Sequence, residues 1–476
     1  MISVADGIGR LGELAASAPV SALATAFEAA GRELALVGGS VRDAFLDRPV
    51  TDLDFTTDAL PDDILAIVTP LATATWDVGR AFGTIAALID GHRVEITTYR
   101  ADEYDGETRK PIVAFGDSLE SDLKRRDFTV NAMALRLPTP VLVDPWGGLD
   151  HLLTATIDTP GEPEVSFGDD PLRMMRAARF TSQLDFEPSD RVRAAMQAMA
   201  GSIEIVSAER VADELTKLML TDDPSRGIRV MVDTGLAEHV IPEVSALRLE
   251  ADEHAHHKDV YEHTLTVVRQ AIELERSRDL DTAPDLVLRL AALLHDIGKP
   301  ATKRVEGRTV SFHHHDVVGA KLSAKRLKAL RFDNDTIRSV ARLVELHLRF
   351  FGYSDQAWTD SAVRRYVRDA GDELERLHIL TRADVTTRNR RKAERLEWAY
   401  DDLESRIAEI REAEGIAAVR PDLDGEAIMR ILDLRPGPDV GRAYRFLLDL
   451  RLDEGPLGAE EAERRLTAWW SEQSGS

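Results

Sequence analysis

Residues 34–57, LALVGGSVRDAFLDRPVTDLDFTT, constrain the fold more than any other stretch of this chain. An apolar run, a glycine pair, a short helical pattern and a second apolar run follow one another, so the segment reads as strand, glycine turn, helix, strand. In the second strand a period of two puts Asp52 and Asp54 on one face, their α-carbons roughly 6.5–7 Å apart. Two such carboxylates repel unless a cation sits between them. Hard oxygen ligands at that separation suit Mg²⁺, whose other ligands are waters and substrate phosphates. Gly38 and Gly39 let a triphosphate approach the backbone and the start of the following helix, with Arg42 one turn into it. Glu95, in RVEITTY, is a candidate third acid on a neighbouring strand. A GG turn alone is weak evidence, and an alternating DLD is often the solvent face of an edge strand. Together, in so short a span, they make a strong signal.

The chain of 476 residues is long enough for about three domains with their own cores. It contains no cysteine, which excludes disulfides and thiolate metal sites and suits a cytosolic protein. No apolar run approaches the roughly 18 residues of a membrane span, so no membrane partner is expected. The first residues, MISVADGIGRLGELAAS, carry acids and lack a signal-peptide pattern, giving a cytoplasmic expectation. A net charge of −24 argues against indiscriminate nucleic-acid binding. Basic islands nevertheless stand out at 124–126, 321–331 and 388–392. Each taken singly reads as a solvated face; several together could track a phosphate backbone.

The pattern along the chain predicts an α+β protein: a mixed-sheet head followed by a mostly α-helical body. TIAALI (84–89) and RVEITTYR (93–100) read as a hairpin across DGH, and FTVNAMALRL with VLVDPW completes the head. Helical patterns dominate from 170 onward, and ten of the thirteen histidines lie between 254 and 378. The expected division is a head at 1–160, a helical neck at 161–250, a histidine-rich domain at 251–390 and a charged helical tail at 391–476.

On these residues the chain resembles the polymerase-β superfamily of nucleotidyltransferases. The version is that of class II tRNA nucleotidyltransferases (CCA-adding enzymes) and bacterial poly(A) polymerases. RRDFTVNAMA (125–134) is similar to the family's second motif, which implies that Arg126, Asp127 and Asn131 serve the nucleotide's phosphates and ribose. DPWGGLDHL (144–152) resembles the linking motif and AERVADEL (208–215) the last of the series. The similarity runs from about 34 to 245 with order and spacing kept. It implies a polymerase-β-type head, Mg²⁺ at the acids, CTP and ATP as substrates and tRNA as partner, bound across the helical body and tail.

The same resemblance assigns DDPLRMMRAARF (169–180) to base selection, and elementary chemistry agrees. Cytosine and adenine both present an exocyclic amino donor beside a ring-nitrogen acceptor; uracil and guanine reverse the order. Asp170 can accept from the amino group while Arg173, one turn on, donates to the ring nitrogen, a match worth about 1–3 kcal/mol. Arg176 and Arg179 would then point the same way and hold triphosphate. The plainer reading makes Asp170 an N-cap before Pro171 and the arginines a solvated stripe. The family usually has Glu-Asp where this chain has Asp169-Asp170, which leaves only an accessory role of Asp169 in question.

DVYEHTLTVV, LAALLHDIGKP and RADVTTRN resemble the HD-domain pattern, implying His263, His295, Asp296 and Asp384 as metal ligands. FHHHDVVGA and LVELHLRF add His315 and His347, enough for a second metal. Imidazole with carboxylate suits several divalent transition metals, so the metal is not named by the residues. A structural reading of HDIGK alone is a buried helix ending at Gly298 with Lys299 near its C-terminus. The segment 97–115 occupies the place of the family's flexible loop, linked to completing the terminal A, and shows no obvious deletion. With the acidic tail, this favours CCA addition over poly(A) synthesis. A metal-dependent phosphohydrolase with a degenerate nucleotide-binding head, or a protein-modifying nucleotidyltransferase, are the alternatives from other classes. The intact acid pair opposes the first and the helical tail the second.

Overall fold

The structure is a computed structural model. It describes residues 3–50, 52–103, 112–115, 118–249, 259–278, 283–306, 309–350, 352–353, 358–386, 389–414 and 420–474. The chain divides into two compact units, Met1–Val240 and Ile241–Ser476.

The first unit is built on a seven-stranded mixed sheet. Its strands are β1 (Leu34–Val37), β2 (Leu53–Thr57), β3 (Ala74–Trp76), β4 (Thr84–Ile89) and β5 (His92–Thr98), then β8 (Ala134–Leu137) and β9 (Val141–Val143). A separate two-stranded ribbon, β6 (Arg100–Glu103) with β7 (Ile112–Phe115), intervenes in the chain. The order across the sheet is β3-β4-β5-β2-β1-β8-β9, with β2 and β5 parallel and the other neighbours antiparallel. Every residue of β1 is buried, as expected of an apolar run at the centre of a sheet, whereas β4 alternates between buried and half-buried residues. The β4–β5 turn is tighter than the expected DGH. Asp90 and Gly91 both take positive φ (51° and 78°), the two-residue hairpin geometry, and His92 already belongs to β5.

Helices complete this unit. The helix Leu172–Leu184 packs on Ala208–Met219 and Pro224–Asp233 and buries ten of its thirteen residues. Gly227 permits that packing: a Cβ there would lie 2.3 Å from the Ala178 carbonyl oxygen. Phe128, in the second motif, meets Phe180 of the arginine-bearing helix edge-to-face at 5.7 Å.

Among its described residues the second unit is mainly helical, with one small hairpin (Arg304–Glu306 with Thr309–Ser311). Helices Val260–Ser277, Leu286–Leu294, His315–Ala329, Asn334–Leu346 and Leu374–Ala383 surround the histidine-rich centre. The tail has a small core of its own, in which Leu423, Ile428, Leu447 and Leu466 pack together and Phe446 stacks on Trp469 at 4.5 Å. Among the described residues no helix is long and apolar enough to cross a membrane.

Candidate active site

The strand register brings the head's acids together. Asp54 of β2 pairs directly with Glu95 of β5, and both are half-buried while their chain neighbours Leu53, Phe55, Val94 and Ile96 are buried. Asp52 precedes the strand and is exposed, its carbonyl oxygen accepting from the Ser40 hydroxyl at 2.6 Å. Burial raises the Asp54 carboxyl above its ordinary value; Arg126 opposes this, and Glu95 and Asp52 add to it. An excess of negative charge on one half-open sheet face fits divalent cations such as Mg²⁺.

Above these acids stands the glycine turn. Gly38 has φ 72°, and a Cβ there would sit 3.1 Å from Arg126 Nη1, so a side chain is disfavoured both by conformation and by space. Arg42, in the short helix Gly39–Phe45, is buried; it donates to Asn131 Oδ1 at 2.6 Å and to both carboxylate oxygens of Asp43 at 2.9 Å. Asn131 in turn donates to Asp127 Oδ1 at 3.0 Å, and Arg176 donates to Asp127 Oδ2 through Nε at 2.8 Å and Nη2 at 2.6 Å. Burial alone would raise Asp127, but Arg176, Asn131 and the Phe128 amide hold it well below the usual carboxylate range. The glycine-turn helix, the second motif and the arginine helix are thus joined by one chain of buried and part-buried hydrogen bonds.

The arginine stripe splits into two kinds of residue. Arg179 is buried and turns inward, donating to Glu214 Oε2 at 2.7 Å and to Gln183 Oε1 at 2.6 Å. Arg176 grips Asp127 and lies 3.5 Å from Glu214. The expected common direction toward a triphosphate is therefore corrected: the buried carboxylates of Asp127 and Glu214 demand cations, and Arg176 and Arg179 supply them. Arg173 differs, donating only to neutral oxygens in its hydrogen bonds, those of Ser166 and the Arg125 backbone. Asp170 ends the preceding helix Pro163–Asp169 in extended conformation, so the arginine helix begins one residue later than expected, at Leu172 with Pro171 at the cap. The carboxylate still serves the helix start: Oδ1 accepts from the Leu172 amide at 3.2 Å, and Oδ2 accepts from Arg210 at 2.8 Å.

In the second unit the six expected ligands converge as two groups of three. His263, His295 and Asp384 form one, Asp296, His315 and His347 the other, with the ligand atoms of each group within 4.8 Å of one another. This redistributes the expected set, because Asp296 leaves its neighbour His295. Its two oxygens face both sides, Oδ2 at 3.2 Å from His295 Nε2 and Oδ1 at 3.3 Å from His315 Nε2. Nδ1 of His295, His315 and His347 each meets the backbone oxygen three residues earlier, at 2.9, 2.8 and 2.6 Å, and His263 Nδ1 meets Thr386 Oγ1 at 2.9 Å. The three carbonyl contacts put the Nδ1 proton on His295, His315 and His347 and aim their Nε2 inward, the arrangement a metal requires; the Thr386 hydroxyl orients the His263 ring. Burial pushes His347 down to about 4, keeping it a neutral ligand. For His295 burial acts in the same sense, but Asp296 and Asp384 draw it up to about 10; these acids attract the positive charge that a cation would supply.

Gly298 is not a helix C-terminus as a structural reading of HDIGK would have it. Its φ is −78°, and a Cβ would lie 2.1 Å from the His315 carbonyl oxygen. The glycine lets the His295–Asp296 turn meet the helix carrying His315. Lys299 pairs with Asp296 Oδ2 at 2.8 Å.

Comparison with known proteins follows this geometry. Residues 34–158 match the poly A polymerase head domain, 185–247 the probable RNA and SrmB-binding site of polymerase A, and 260–389 the HD domain. The A-adding tRNA nucleotidyltransferase of Deinococcus radiodurans is 34% identical over 450 residues, covering 92% of this chain and 96% of that protein. The chain belongs to the tRNA nucleotidyltransferase family. The CCA-adding enzyme of Geobacillus thermodenitrificans is 40% identical over 211 residues, 44% of this chain and 51% of the relative, so that likeness spans about half of each. The fold matches that of the Bacillus stearothermophilus CCA-adding enzyme in complex with CTP, with a TM-score of 0.69 at 24% identity over 95% of this chain and 97% of that one.

Sequence reasoning missed Ser166 and gave no individual role to Glu214 and Arg210, which it quoted only within the AERVADEL motif. Glu214 was legible in principle: it lies between Val211 and Leu218 on the apolar face of its helix, where a buried acid demands a buried cation. Ser166 carries no such signal. Within the flexible-loop segment, residues 104–111 lie outside the described residues.

Proposed function

We propose that the chain adds cytidine and adenosine to the 3′ end of tRNA, using CTP and ATP and no nucleic-acid template, in the cytoplasm. The observation that carries this reading is the Asp54–Glu95 register beside the Gly38 turn, with Asp170 and Arg173 presented at the start of the arginine helix. Asp52 and Asp54, with Glu95 as third acid, would hold divalent cations, which when bound would supply electrostatic activation of the 3′-hydroxyl and of the leaving pyrophosphate. The remaining work falls to the chain's own side chains. The bare Gly38–Gly39 backbone admits the phosphates; Arg126, with the joined Arg42, Asn131 and Asp127, orients phosphates and ribose. Asp170 accepts from the amino group of C or A, and Arg173 donates to the ring nitrogen. The helical unit and tail take the tRNA by shape and phosphates. The six HD ligands hold divalent transition metal, to be identified by metal analysis of the purified protein.

One observation favours a narrower reading. The full-length Deinococcus relative is named as A-adding. The deciding experiment supplies tRNA lacking CCA, and tRNA already ending in CC, with CTP, ATP or both, and resolves products to single nucleotides. CCA addition extends the first substrate by three nucleotides with both triphosphates; an A-adding enzyme extends only the second; a ladder means poly(A) synthesis. Asp54→Asn should abolish every addition while the far-ultraviolet circular dichroism stays unchanged.

A further inference from the structure

Along the arginine helix, Arg176 and Arg179 are neutralised by carboxylates, but Arg173 is held by neutral oxygens alone in its hydrogen bonds. Its Nη1 donates to the Ser166 hydroxyl at 2.7 Å and to the Ser166 carbonyl oxygen at 3.3 Å, and its Nη2 donates to the Arg125 carbonyl oxygen at 2.5 Å. Ser166 is itself buried, on the helix Pro163–Asp169 that leads into Asp170. We infer that Ser166 is a specificity-determining positioning residue, which with the Arg125 carbonyl sets the plane of the Arg173 guanidinium before a base arrives. The inference rests on Arg173 as the donor to the base.

A guanidinium has five N–H donors in a rigid fork, so acceptors at both terminal nitrogens fix its plane; Nη1 meets two oxygens of Ser166, while Nη2 keeps a second N–H and Nε its own for a ligand. Neutral acceptors fix direction without cancelling charge, so Arg173 stays cationic toward the base where an ion pair would have shielded it. A loose arginine could swing to meet the carbonyl oxygen that uracil or guanine offers; a braced one leaves those bases unpaired against a buried donor, which is the source of rejection. The brace also couples the phosphate motif to base reading, because the Arg125 carbonyl belongs to RRDFTVNAMA.

The test measures kcat/KM for CTP, ATP, UTP and GTP on tRNA substrates with the full-length chain. Ser166→Ala should lower the preference for C and A over U and G by about three- to tenfold, the range of one lost hydrogen bond, with kcat for CTP within about twofold of the parent. Ser166→Thr, which keeps the hydroxyl, should restore the preference. In an Arg173→Ala background, Ser166→Ala should produce no further change in preference. An unchanged preference in Ser166→Ala beside a lowered preference in Arg173→Ala overturns the inference and leaves the base-reading assignment standing. An unchanged preference in both variants overturns the two together. A lower melting temperature with an unchanged preference assigns Ser166 a purely structural role and also overturns it.

Discussion

At the scale of single residues, the head's charged groups divide by what surrounds them. Glu214 is 2% exposed and is met by Arg179, Arg176 and Lys217, at 2.7, 3.5 and 3.8 Å. Removing Arg179 strips the buried carboxylate of its shortest partner, so Arg179→Ala should cost about 3–5 kcal/mol in urea unfolding. If Arg179 instead held phosphate, its loss would raise KM for every nucleotide with little change in stability. Asp127 gives a pH test. Arg176 keeps it ionised in the folded chain at pH values where the unfolded chain, near its ordinary value of about 3.9, takes up a proton. A depressed carboxyl stabilises the fold fully above that value, and the contribution shrinks as pH falls below it. Asp127→Asn should therefore lower stability at pH 7 and flatten the loss between about pH 4 and pH 2, measured by denaturant unfolding at each pH.

At the scale of elements, the close approaches are the vulnerable points. The turn after Leu286–Leu294 carries His295 and Asp296 and touches the helix His315–Ala329 through Gly298. The atom in the way of any side chain at that position is backbone, which cannot swing aside. Gly298→Ala should therefore separate His295 and Asp296 from His315 and reduce bound metal at least tenfold, checked by elemental analysis of the purified variant. The parallel β2–β5 pairing is the corresponding element in the head, since sliding it by one residue would turn Asp54 and Glu95 onto opposite faces.

At the scale of the whole molecule, tRNA recognition has to operate against a net charge of −24. Lys321, Lys325 and Lys328 are exposed on the helix His315–Ala329, whereas Arg326 of the same island is tied to Glu243 at 2.9 Å. If that face follows the phosphate backbone, tRNA affinity should fall steeply with salt. Replacing the three lysines by alanine should then reduce the slope of log K against log salt by about two to three. A triple variant with the parental slope would move the tRNA path elsewhere. The two compact units also carry separate chemistries: the acid site lies in Met1–Val240 and both histidine groups in Ile241–Ser476.

The sequence by itself determined the class of fold and named, as candidates, the acids of the head, the base-reading pair and all six residues of the histidine cluster. These are local or motif-borne: Asp54 and Glu95 sit in strand patterns the sequence carries, although Asp52 falls just before its strand, and the histidine cluster comes from stretches that resemble the HD-domain pattern. It did not determine partners. Arg173, Arg176 and Arg179 are equivalent by spacing, and only the tertiary structure makes one a donor to neutral oxygens and two the counter-ions of Asp127 and Glu214. Likewise the chain places Asp296 beside His295, but only the tertiary structure brings its second oxygen to His315, 19 residues on, so that one carboxylate faces both groups. Spacing along a helix or strand fixes which way a side chain leaves the backbone. What it meets is decided by elements that arrive from 35 to 50 residues away, such as Glu214 against Arg179 and Asp127 against Arg176.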